Sequence, residues 1–193
     1  MQKINLRLPA LLLFILSAIV STAATRFMSF ELPVLSNFTP MGALALFGGA
    51  YFADKWKAIL SSVLVLFVTD IFINYLWTSK FILWNNGSMP VYASFIAMVY
   101  IGSIMKKINV STILLASLAS VVLHWLITDI EPWLNSPLYS KGIAGYLESL
   151  TMALPFERNM LFADAVFGAI LFGGYEWIKN RNKALQNSKQ LAI

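Results

Sequence analysis

The chain has 193 residues, 59% of them hydrophobic and only 12% charged, with no cysteine and a formal net charge of +5. A soluble domain carries about 25% charged residues, so this composition excludes an ordinary water-facing surface. The absence of cysteine excludes disulfides, thiolate metal sites and cysteine nucleophiles. The sequence is therefore read as an all-α integral membrane protein. A span needs about 20 apolar residues to cross a hydrocarbon core of about 30 Å, which leaves room for six transmembrane helices and none for a separate catalytic domain.

In chain order, apolar runs predict spans over residues 9–25, 40–53, 58–78, 89–105, 109–128 and 156–178. The second is short and rich in glycine. Residues 26–39 read as a loop, broken by Pro33 and closed by Pro40. Residues 129–155 read as the longest loop, because Pro132, Pro137 and Pro155 interrupt any helix there. Within it, residues 140–153 have the pattern of a short surface helix. Residues 1–183 form one domain in this reading, and residues 184–193 a polar, flexible cytoplasmic tail.

The basic residues sort by side. Lys3, Arg7, Lys55, Lys57, Lys106, Lys107, Lys179, Arg181, Lys183 and Lys189 fall on one face. Arg26, Lys80, Lys141 and Arg158 fall on the other. The positive-inside rule then places both termini in the cytoplasm, and an even number of spans agrees with that. The same asymmetry accounts for the net charge without any nucleic-acid partner. Lys3, Arg7 and the small residues Ser21-Thr22-Ala23 also have the form of a secretory signal, but the apolar run exceeds the 7–15 residues usual for one.

Function is sought among the polar residues within the spans, because ionisable groups there are expensive and mark sites. Asp70, Asn74 and Trp77 are spaced i, i+4, i+7 on one helical face. His124 and Trp125 lie near the outer end of the fifth span. Arg158 and Asn159 begin the sixth, with Asp164 about two turns further in. All of these lie in the outer half. With Trp84 and Trp133 they predict a polar, aromatic-lined pocket open to the outside above an apolar plug. No Walker loop, zinc-protease motif or serine elbow is present in the sequence, so no catalytic residues, metal or cofactor are assigned.

The segment Asn37-Phe38-Thr39-Pro40-Met41-Gly42-Ala43-Leu44-Ala45-Leu46-Phe47-Gly48-Gly49-Ala50-Tyr51-Phe52, followed by Thr69-Asp70, resembles an uncharacterised family of small bacterial membrane proteins. The short Pro/Gly-opened second helix and the helix ending near an Asp are also similar, more distantly, to the S-components of energy-coupling-factor vitamin transporters. That likeness implies a six-helix bundle of the bacterial cytoplasmic membrane that binds a vitamin or metal-containing cofactor from outside. It also implies a transmembrane coupling protein with ATPases as partner. That partner docks on an Ala-x-x-x-Ala pattern in helix 1, where this chain has Ser17-x-x-x-Ser21 and Ala18-x-x-x-Thr22.

The expectation is a substrate-binding protein for micronutrient uptake, with Asp70, Asn74, His124, Arg158, Asn159 and Asp164 orienting the ligand. Trp77, Trp84, Trp125 and Trp133 stack on it, and Asn37 and Thr39 cap the second span. Two other readings stand beside this one. The first is a structural or assembly protein without a ligand. The second is a membrane enzyme using His124 with Asp70 or Asp164.

Overall fold

In the computed structural model, which describes residues 4–5, 8–181 and 191–192, the organising element is helix α2, Met41–Tyr51. All 11 of its residues are buried. It is enclosed by α1 (Leu8–Glu31), α3 (Lys55–Thr78), α4 (Ser88–Ile104), α5 (Val110–Thr128) and α7 (Ile143–Gly168). Small residues allow this burial. A Cβ on Gly49 would strike the Val99 carbonyl of α4, and one on Gly102 of α4 would strike the Leu46 carbonyl of α2. The two backbones meet where both side chains are a hydrogen atom, as close-packed membrane helices do.

The second expected span is corrected in length. At 1.5 Å per residue α2 measures about 16 Å, about half of the hydrocarbon thickness. Among the described residues, four helices are long and apolar enough to cross a membrane: Leu8–Glu31, Lys55–Thr78, Val110–Asn135 and Ile143–Arg181. α2 and α4 are shorter apolar helices.

The distribution of side chains is that of a multi-pass membrane protein. Leu12, Leu13 and Leu16 of α1, Leu114 and Leu115 of α5, and Phe162 and Ile170 near the chain end are exposed. Thr69, Ser94, Ser117, Ser120, Glu157 and Asp164 are buried. Water would favour the reverse, whereas lipid favours apolar surfaces and drives polar groups inward to find partners. On α1, Ala18 and Thr22 are buried on a helix that packs along α3. The Ala18-x-x-x-Thr22 pattern is thus spent on internal packing.

Two boundaries differ from expectation. α1 continues through Arg26 to Glu31, so much of the expected 26–39 loop is helix. A short 3-10 turn, Pro33–Leu35, follows. The expected surface helix and the sixth span are one continuous element. α7 runs through Pro155, then a π segment, Ala169–Gly173, then α8, Gly174–Arg181. Pro155 lacks the amide that would bond Thr151, a loss of about 3 kcal/mol in a helix interior. The packing of α7 along α5 and α2 offsets it. α6, Ile130–Asn135, occupies the remaining loop. Most of the expected 184–193 tail lies outside the described residues, as do Lys3, Arg7, Lys183 and Lys189.

Candidate functional site

A cavity of about 440 Å³ opens at one end of the bundle. There α1, α3 and α5 finish, α2 begins, and α7 passes alongside. Among the described residues, five acidic or basic side chains line it: Arg26, Asp70, His124, Asp129 and Glu157. Asn37, Thr39, Thr128 and Ser149 add polar groups, and Met41, Leu66, Phe95, Phe156 and Met160 supply apolar walls.

The charges are organised in three groups. In the first, Arg26 Nη1 lies 2.6 Å from Asp70 Oδ1 and donates to Thr69 Oγ1 at 2.9 Å. Tyr92 donates its hydroxyl to Asp70 Oδ2 at 2.8 Å. Both carboxylate oxygens of Asp70 are engaged, so α1, α3 and α4 are tied together at this level.

In the second group, His124 Nδ1 lies 3.1 and 3.2 Å from the two oxygens of Glu157. Asn37 Nδ2 donates to Glu157 Oε1 at 3.3 Å. A carboxylate only accepts, so Nδ1 carries the hydrogen of this contact. Phe95 packs edge-on against the imidazole, with centroids 5.7 Å apart. Asn37 reaches Glu157 because its backbone is left-handed, with φ of 65°, a conformation Asn tolerates better than most residues.

In the third group, Ser149 donates to Asp129 Oδ1 at 2.9 Å. Among the described residues no donor meets Asp129 Oδ2. Ser149, Ala153 and Glu157 follow at i, i+4 and i+8, so α7 presents them on one face. Asp129, Glu157 and His124 are all at least nine-tenths buried.

The structure brings together Asn37, Thr39, Asp70 and His124 of the expected site residues. Asn74 lies away from the lining and donates to the Ile82 carbonyl at 3.0 Å, holding the segment after α3. Asn159 donates to the Val34 and Ser36 carbonyls at 2.6 and 2.9 Å, fastening the 3-10 turn to α7. Arg158 is exposed and outside the cavity. The tryptophans also stand outside it. Trp77 is 63% exposed and packs edge-on against Phe30. Trp84 packs against Tyr92, Trp125 Nε1 donates to the Leu150 carbonyl at 2.9 Å, and Trp133 Nε1 donates to Ser140. Phe95, Phe156 and Tyr139 are the aromatic residues that line the cavity.

Asp164 sits elsewhere. It is 1% exposed and packs on Gly42 so closely that a Cβ there would collide with its carboxylate. The carboxylate faces the first turn of α2 near the Ala43 amide, without a hydrogen bond of good geometry. The first amides of a helix are unpaired and carry partial positive charge, and the Asp164 carboxylate lies at this favourable end of α2. The acid–base pairs His124–Asp70 and His124–Asp164 are not formed, and His124 meets Glu157 instead.

Three of these residues escaped the sequence reading. Arg26 was assigned to a loop. Asp129 and Glu157 sit at the edges of the expected fifth and sixth spans. The available signal was the same one that marked Asp70: an ionisable residue beside a long apolar run.

A polar cavity enclosed by apolar-faced helices defines the class, a multi-pass membrane protein with a partly buried, charged interior site. The chain matches the model of the Family of unknown function (DUF6580) over residues 2–186 and belongs to that family. No curated protein and no solved structure matches it.

Proposed function

We propose that the chain is a substrate-binding protein of the bacterial cytoplasmic membrane that takes up a small micronutrient, a vitamin or a metal-containing cofactor, through the cavity. In this reading the cavity faces outward and both termini lie in the cytoplasm. α2 and α4 complete six passes of an S-component-like bundle. The carrying observation is the convergence of charged and polar side chains from α1, α3, α5 and α7 on one space of about 440 Å³. Pockets for small organic ligands measure about 300–1,000 Å³ and combine apolar walls with a few placed polar groups. A purely structural protein gains nothing from leaving such a space open, since close packing is what stabilises a protein interior.

The basic residues favour this orientation. Lys55, Lys57, Lys106, Lys107, Lys179 and Arg181 belong to the end opposite the cavity, the end that the positive-inside rule puts in the cytoplasm.

The test is native mass spectrometry of protein gently solubilised from its own host. Ala153 lines the cavity, so Ala153→Trp fills it without removing a charge. The wild type is expected to carry a vitamin-sized adduct that the Ala153→Trp protein lacks. If wild-type protein is clean and the substitution raises its melting temperature by filling a void, the cavity is a packing defect and the uptake reading fails.

A further inference from the structure

We infer that the cavity selects an organic cation: a molecule with a protonated nitrogen or cationic heterocycle at one end and an apolar body at the other. This rests on the ligand-binding reading above. The chain as a whole is basic, yet its cavity is acidic, with one guanidinium facing three carboxylates. The guanidinium is already committed, because Arg26 is paired with Asp70 at 2.6 Å and bonded to Thr69. Among the described residues Glu157 and Asp129 then have no lysine or arginine partner. Glu157 is met by a histidine and an amide, and Asp129 by one hydroxyl. Positive charge stabilises two carboxylates buried beside Phe95, Phe156 and Met160. Asp129 Oδ2 stands ready to accept a charge-assisted hydrogen bond, and aromatic faces favour a nearby cation.

An inorganic cation fits less well. Among the described residues no three His, Asp or Glu side chains converge as metal ligands. The apolar walls also offer a bare ion nothing, whereas they match the body of an organic one.

The experiment uses full-length protein in nanodiscs, with thermal stability as the readout. Three matched probes are phenethylammonium, the neutral phenethyl alcohol and the anionic 3-phenylpropionate. Sodium and calcium chloride serve as inorganic controls. The ammonium probe is expected to raise the melting temperature in a dose-dependent way, with the neutral and anionic probes inert at equal concentration. Asp129→Asn keeps the shape and the Ser149 contact, and it should weaken the response on the order of tenfold, the loss of one charge-assisted hydrogen bond. Glu157→Gln is the second variant and should act in the same direction. A preference for the anion overturns the cation assignment and leaves the binding reading standing. Stabilisation by sodium or calcium that disappears in Asp129→Asn overturns it in favour of an inorganic ion. No response to any probe, together with a clean native spectrum, removes both readings.

Discussion

At the scale of single residues, one ion pair of the cavity, Arg26 with Asp70, is complete before any ligand arrives. Asp70→Ala leaves the half-buried Arg26 guanidinium without its partner and Tyr92 without an acceptor. Breaking a pair by removing one partner is worse than removing both. Asp70→Ala is therefore expected to destabilise by about 1–3 kcal/mol, and Arg26→Gln combined with Asp70→Asn to recover most of that loss. Thermal unfolding in detergent measures both, and additive losses in the double variant would show that the pair is not coupled. Gly42 makes a second case. Gly42→Ala drives a methyl group into the Asp164 carboxylate, an overpacking expected to cost about 1–3 kcal/mol. With Asp164→Ala in the background the added methyl has room, so its further effect should fall to a small fraction. Asp70 and His124 were legible in the sequence because a polar residue stands out in an apolar run. Their partners were not, since nothing local says that Arg26 on α1 faces Asp70 on α3, or that Glu157 turns inward to His124 while its neighbour Arg158 turns outward.

At the scale of elements, α2 is the piece on which the others are assembled. Its contact with α4 is backbone on backbone at Gly49 and Gly102. A large side chain there cannot be absorbed by a rotamer change, because the atoms it meets are carbonyl groups. Gly102→Leu is expected to separate α2 from α4 and lower the yield of folded protein, whereas Ser103→Leu on the neighbouring, more open position should be tolerated. Size-exclusion profiles and melting curves of the two proteins provide the comparison, and equal behaviour would count against close backbone packing. The glycines of α2 were legible as a packing signal. The length of α2 and the continuity of α7 were not. Hydropathy counts Pro40, Phe52 and Ala53 as part of a span, and Pro155 reads as a breaker although tertiary packing carries the helix through it.

At the scale of the whole molecule, the proposal makes a topological claim that a chain without cysteine lets one test without background labelling. Leu138, in the segment between α6 and α7, is 81% exposed. Lys107, between α4 and α5, is also exposed. In intact cells, a membrane-impermeant maleimide is expected to label Leu138→Cys, and to label Lys107→Cys only after permeabilisation. The opposite pattern would turn the cavity toward the cytoplasm and convert an uptake reading into one of release or sensing. Orientation is an electrostatic matter: the asymmetry of positive charge between the two ends decides insertion.

The sequence by itself determined the solvent, the secondary-structure class and the end of the molecule where the polar groups gather. These follow from composition and from position along an apolar run, which depend on each residue's own transfer free energy. Only the tertiary structure decided which polar groups share a cavity and which serve as ties. It drew Arg26, Asp129 and Glu157 into the site, turned Asn74, Asn159 and Trp125 to backbone carbonyls, and set Asp164 against the first turn of α2. Those choices depend on how helices rotate about their axes and which faces meet. Rotation is fixed by packing around a small, wholly buried helix, a property of many residues acting together.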